Sequence, residues 1–257
     1  MNLTALITGA SSGIGYEFAR VFAENNYDVF LVARREDRLK VLKERIESET
    51  GKRAEVLPYD LSNPEVAEEI YQQTGPVDAL INNAGVGQVG RYSDRTWAAD
   101  EFVMNLNLLT PMHLAKLYLS GMLENNQGGV INVASITGLM SSGPFMSTYF
   151  SSKAAMVSWS YALAEECSGT DVNVLTLCPG PVRTELAGKT GAGDKMIERF
   201  GMDPYKVAQI GYKSLQKGKR LVIPGVLSKL LVYSSKLLPR RAEAFINRKM
   251  QEKHIDS

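Results

Sequence analysis

Cysteine is almost missing from this chain. Cys167 and Cys178 are the only two in 257 residues; each sits in an apolar stretch, and neither has a histidine nearby. A metal centre therefore lacks ligands and a disulfide framework lacks partners, which points to a reducing, cytoplasmic setting. An excess of one charge is missing too. Twenty-nine Lys plus Arg face 28 Asp plus Glu, a net +1 with no long run of either sign, so nothing advertises a nucleic-acid partner. Nor does the start offer a long apolar run. Leu3 to Ile7 is too short for a signal-peptide core, has no basic flank before it and runs into a glycine turn, so it reads as a buried strand. Repeats, linkers and low-complexity tracts are absent, and the length suits one α/β domain spanning 1–257.

What is present is an alternation. Short apolar or β-branched runs at Leu3–Thr8, Asp28–Ala33, Ala54–Pro58, Val77–Ile81, Val130–Ala134 and Val172–Cys178 are separated by longer stretches of helical period. Phe18, Val21 and Phe22 share a helix face, and Asn63-Pro64 reads as an N-cap and first-turn pair. Strands that are apolar throughout are buried on both faces, which predicts a parallel, doubly wound sheet with helices on each side. After about Thr184 the rhythm loosens at Gly188, Gly191 and Gly193. Asp203 and Pro204 then cap a helix running toward Gln216, Leu221–Ile223 offers a last strand, and Val226–Leu238 is an amphipathic helix.

The first strand empties into Thr8-Gly9-Ala10-Ser11-Ser12-Gly13-Ile14-Gly15, and a helix follows. Glycines between strand and helix let the backbone turn sharply and approach a pyrophosphate, while the helix N-terminus offers unpaired amides to the anion. The bland alternative is a tight turn that happens to be glycine-rich. At the end of the second strand, a carboxylate would accept hydrogen bonds from the ribose hydroxyls of NAD. Arg34 and Arg35 stand there instead, and a guanidinium suits the 2′-phosphate of NADP. The alternative is a solvated helix start whose arginines pair with Glu36 and Asp37.

Ser135 closes the strand Val130–Ala134, and Tyr149 and Lys153 lie four apart, one helical turn, so phenol and ammonium share a face. A nearby cation favours the phenolate, so Lys153 is expected to lower the pKa of Tyr149 toward that of a usable acid/base. Ser135 suits a substrate oxygen, and Asn107, on another predicted helix, suits anchoring a water that relays protons to Lys153. Taken singly, the Tyr–Lys pair is equally an aromatic beside a snorkelling surface chain.

Thr8 to Gly15, Asp60-Leu61, Asn82-Asn83-Ala84-Gly85, Asn107, Ser135, Tyr149-Phe150-Ser151-Ser152-Lys153 and Pro179-Gly180 together resemble, in order and spacing, the short-chain dehydrogenase/reductase family. The resemblance covers about residues 3 to 186. It implies a Rossmann fold and catalytic roles for Asn107, Ser135, Tyr149 and Lys153. It also implies a cofactor held by Gly9, Ser11, Ser12, Gly13, Ile14 and Gly15, with Asp60 and Leu61 beside the adenine and Asn83, Ala84 and Gly85 along the ribose side. Tyr149, Lys153, Pro179, Gly180, Val182 and Thr184 complete that set toward the nicotinamide. One departure is Ser12, where NADP-using members commonly carry a basic residue, so cofactor choice rests on Arg34 and Arg35.

Val222-Ile223-Pro224-Gly225 and the basic, apolar tail are similar to ketone and 3-oxoacyl reductases of apolar substrates. The expected function is NADP-dependent hydride transfer to or from a carbonyl or alcohol on a small molecule. The rivals are a weakly active NADP-binding scaffold or redox sensor, and a membrane-surface reductase of lipids or steroids. Residues 186–217 read as a substrate lid, with Met196, Ile197 and Phe200 either lining a pocket or packing in the core. Residues 226–257 read as a helical extension meeting a substrate pocket, another subunit or, through Lys229, Lys236, Arg240 and Arg241, a membrane surface. The family resemblance implies a homodimer or homotetramer assembled through helices beginning near Asp100 and Thr148.

Overall fold

Side chains alternate across a strand, and in β1 (Leu3–Thr8) both sets put apolar residues into the core: Ala5 and Ile7 enter one core cluster, Leu6 the other. A strand of this kind needs cover on both faces. The computed structural model, which describes residues 3–185 and 199–252, supplies it with a layer of helices on each face of the sheet. After β1 come α1 (Gly13–Glu24), β2 (Tyr27–Val32), α2 (Glu36–Thr50), β3 (Ala54–Leu57), α3 (Val66–Thr74) and β4 (Ala79–Asn82). The second half runs α4 (Trp97–Met104), a π-helical segment Asn105–Leu109, α5 (Thr110–Glu124), β5 (Gly128–Val133), α6 (Ser147–Glu166) and β6 (Val172–Leu177). Then follow α7 (Pro204–Leu215), β7 (Leu221–Val222), α8 (Val226–Ser235) and α9 (Arg240–Glu252).

The seven strands form one parallel sheet in the order β3-β2-β1-β4-β5-β6-β7, as the alternation predicts. The order reverses between β1 and β4. At that switch the loops leaving the strands' carboxyl ends part to the two sides and open a crevice. Phe18, Phe22, Leu39, Leu42 and Val207 bury one face with α1, α2 and α7; Ile70, Leu114, Tyr118 and Ala164 bury the other with α3, α5 and α6.

Two local expectations change. Asn63-Pro64 does not open α3, which starts at Val66: the Asn63 side chain accepts from the Glu65 amide (3.1 Å) and its carbonyl from Val66 (3.3 Å), closing a tight turn first. The helix predicted to reach Leu238 ends at Ser235, with Leu237 and Leu238 in turn hydrogen bonds to Ser234 and Ser235. Asp203 does cap α7, accepting from the Lys206 amide at 3.1 Å with Pro204 next to it.

A polar ladder crosses the sheet beneath the crevice. Asn82 of β4 donates to the Asn132 side-chain oxygen Oδ1 (2.9 Å), Asn132 Nδ2 of β5 donates to Ser160 (2.9 Å), and Thr176 of β6 donates to the same hydroxyl (2.8 Å). All four are buried. Unpaired buried amides are costly, so this ladder holds α6 in one register against three strands.

Candidate active site

The first-strand loop forms one side of the crevice. Gly9 adopts a left-handed φ of +69°, and a Cβ there would lie 2.7 Å from Asn83 Nδ2. Gly15 sits behind the loop rather than in the crevice: its Cβ would meet Gly9 O and Asn83 Nδ2, each at 2.4 Å. Asn83 is fixed by donating to the Thr8 carbonyl (2.9 Å), while the Thr8 hydroxyl accepts from the Asn83 and Ala84 amides at 2.8 and 3.0 Å. Ser12, the N-cap of α1, makes no side-chain cap, which leaves the first-turn amides open to an anion.

The resulting groove, about 340 Å³, is lined by Gly9, Ser11, Ser12, Gly13, Ile14, Arg34, Arg35, Asp60, Leu61, Asn83, Ala84, Gly85 and Thr184. These are the expected cofactor residues apart from Gly15 and those nearer Tyr149. Bare backbone at an uncapped helix N-terminus, with a guanidinium at the rim, fits a dinucleotide phosphate. Arg34 is exposed. Arg35 donates to Ser11 (3.2 and 3.1 Å) and Ser12 (2.8 Å) and pairs with Glu185 (2.8 Å), not with Glu36 or Asp37. Glu185 also pairs with Arg38, and the two guanidinia, Arg38 foremost, hold its carboxyl down at about 2. Neither Arg38 nor Glu185 was read from the sequence, because their meeting spans 147 residues.

A second cavity, about 480 Å³, shares Ile14, Asn83, Gly85, Val86 and Thr184 with the groove. Ser135, Tyr149, Lys153, Pro179, Gly180 and Val182 line it, with Met140, Met146, Phe150, Leu231, Leu238 and Ile246 giving apolar walls. The C-terminal helices α8 and α9 thus meet this pocket. Of the expected lid residues, Met196 and Ile197 lie outside the described residues, and Phe200 is half exposed.

Tyr149 and Lys153 share one buried face of α6. Burial pushes the Tyr149 phenol above its usual 10, against a weaker pull from Ser135 and Thr137 toward the phenolate. Lys153 donates to the Val133 carbonyl at 2.9 Å, and burial lowers its ammonium to about 8. Contrary to the sequence expectation, burial dominates the phenol, not the ammonium. Asn107 is held firmly by its neighbours. It lies in the π-helical segment, where its amide is committed: Oδ1 accepts from the Val86 N–H (2.8 Å), and Nδ2 donates to Val86 O (2.9 Å) and Ser152 Oγ (3.0 Å). The side chain clamps the strand-four loop to α6. Among the described residues no cluster of His, Cys, Asp and Glu could hold a metal. Both cysteines are free and buried.

A parallel sheet with its crevice at the switch point, and a bare glycine loop leading into an uncapped helix, define a dinucleotide-binding α/β protein. A family model described as short chain dehydrogenase matches residues 3–195, and the chain belongs to that family of oxidoreductases of carbonyl and alcohol groups. It is 34% identical over 251 residues to the dehydrogenase/reductase SDR family member 7B of Xenopus laevis, covering 91% of this chain and 77% of that one. It is 36% identical over 183 residues to the ketoacyl reductase HetN of Nostoc sp., covering 70% of this chain and 63% of HetN. Among solved structures, one from a study of 7beta-hydroxysteroid dehydrogenase stereoselectivity superposes with a TM-score of 0.88 at 27% identity, covering 96% of this chain and 99% of that one. A short-chain dehydrogenase of Sphingobium yanoikuyae in complex with NADPH gives 0.79 at 28% identity (91% and 93% covered). One of Burkholderia phymatum in complex with NAD gives 0.79 at 25% (90% and 92%). Among the described residues no helix is long and apolar enough to cross a membrane.

Proposed function

We propose that this chain is an NADP-dependent reductase of apolar ketones or 3-oxoacyl compounds, acting as one domain. The observation that carries the reading is the meeting of Ser135, Tyr149 and Lys153 on the wall of an apolar cavity continuous with the glycine-lined groove. NADPH bound in that groove would supply the hydride. Arg35, with Ser11 and Ser12, would hold the 2′-phosphate; NADPH-bound and NAD-bound relatives both exist, so this guanidinium is the basis for the preference. Ser135 orients the substrate oxygen. Tyr149, kept protonated by burial, donates its proton as that oxygen gains negative charge, and Lys153, titrating near 8, replaces it. The apolar walls favour a substrate with a hydrocarbon body.

The test is a fluorescence titration with NADPH and NADH, followed by ketones and 3-oxoacyl thioesters with nicotinamide absorbance tracked. NADPH binding with oxidation by one substrate class is expected. Tyr149→Phe should cut turnover roughly 10²–10⁴-fold while leaving NADPH affinity unchanged, and Arg35→Ala should weaken NADPH more than NADH. Tight binding with no oxidation across the panel would favour the sensor reading instead.

A further inference from the structure

The wall contributed by α9 carries polar groups that hydride transfer leaves unused. Glu243 is 2% exposed and lines the cavity. Its Oε1 accepts from the Ser141 amide at 3.0 Å, but Oε2 is buried with no hydrogen-bond partner. One turn on, Asn247 donates to the Ser142 carbonyl at 2.7 Å, and one turn beyond that Gln251 Oε1 is again buried without a partner. The four-residue spacing places all three on one helix face, and all three line the cavity.

Fastening α9 to the loop at 141–142 accounts for only half of the Glu243 carboxyl. Asn247 already fastens the neighbouring residue with an uncharged amide, so a tether alone needs no second oxygen. The lining residues Ile246 and Met250 are apolar and supply no donor, and the Ser142 and Thr137 hydroxyls, themselves buried without a partner, donate to neither carboxylate oxygen. An acceptor shut away from water without a donor is costly to the fold unless something that binds there brings one.

We infer that Glu243 Oε2 receives a hydrogen-bond donor, a hydroxyl or an ammonium, carried by the substrate away from its reacting carbonyl. Glu243 then selects donor-bearing apolar ketones over plain ones. This rests on the cavity being the carbonyl site proposed above. The probes are straight-chain methyl ketones of several lengths whose far end is methyl, methoxy, hydroxyl or ammonium. They are compared on the full chain both by calorimetric binding and by NADPH oxidation.

The hydroxyl compound is expected to bind at least tenfold more tightly than its methoxy partner, which can accept but not donate. Whether hydroxyl or ammonium binds better identifies the donor. Glu243→Gln keeps an oxygen for Ser141 and turns an amide donor to the cavity. It should bring the hydroxyl-to-methoxy ratio to one or below without lowering the melting temperature. Equal binding of the two by the unaltered protein, a ratio that survives Glu243→Gln, or binding of no member would overturn the inference. Discrimination in binding without oxidation of NADPH would keep Glu243 as the recognition group and overturn the reductase reading. Oxidation without discrimination would do the reverse.

Discussion

Lys153 carries a charge where little water reaches, and its pKa sets a measurable pH dependence. The group titrates at about 8 in the fold against an ordinary 10.5. Between those values the unfolded chain binds the extra proton, so this group's contribution to stability rises with pH through that window. Its full penalty, roughly 3 kcal/mol, is present below pH 8. Lys153→Met should therefore be inactive, yet gain in melting temperature relative to the unaltered protein at pH 7, and that gain should shrink as pH approaches 10. A difference that stays flat from pH 7 to 10 would contradict a depressed Lys153. The Tyr149–Lys153 pair was legible because four residues make one helical turn. What Lys153 touches was not, because the Val133 carbonyl is 20 residues away and on another element.

The π-helical segment between α4 and α5 acts on the site through Asn107. It turns Asn107 inward so that one amide holds both polar groups of the Val86 backbone and the Ser152 hydroxyl. Asn107→Ala strands those groups. Stability should fall by about 1–3 kcal/mol in chemical denaturation, and NADPH affinity should drop as the 83–86 segment loosens. Unchanged values for both would show that the clamp is dispensable. Strands were placed to within about two residues, since β-branched runs bounded by turns are local signals. The start of α3, the π turn and the docking of α9 were not, because each depends on contacts made only after the chain has closed. Glu243 and Ser141, 102 residues apart, are the plainest case.

At the scale of the whole molecule, apolar side chains stay exposed around α4 and α6 as well as on α8 and α9. Trp97, Leu109 and Tyr161 are 70%, 44% and 43% exposed around α4 and α6, the helices that the family resemblance assigns to subunit contact. Arg95 (2.6 Å) and Thr148 both reach Asp100, so the two helices present this surface as a unit. Sedimentation velocity at micromolar concentration should show a dimer or tetramer, and Tyr161→Arg should shift it toward monomer with NADPH binding intact. A monomeric unaltered protein would remove this surface as the interface.

The wall that α8 and α9 give the cavity begins after residue 225, whereas the family match ends at 195. Heritable change in that last stretch can alter what the pocket accepts without disturbing the sheet, the glycine loop or the Tyr149–Lys153 pair. Descendants of such a chain can diversify in diet while keeping one chemistry, and grafting the tail of one relative onto the body of another is the natural way to move a preference between them.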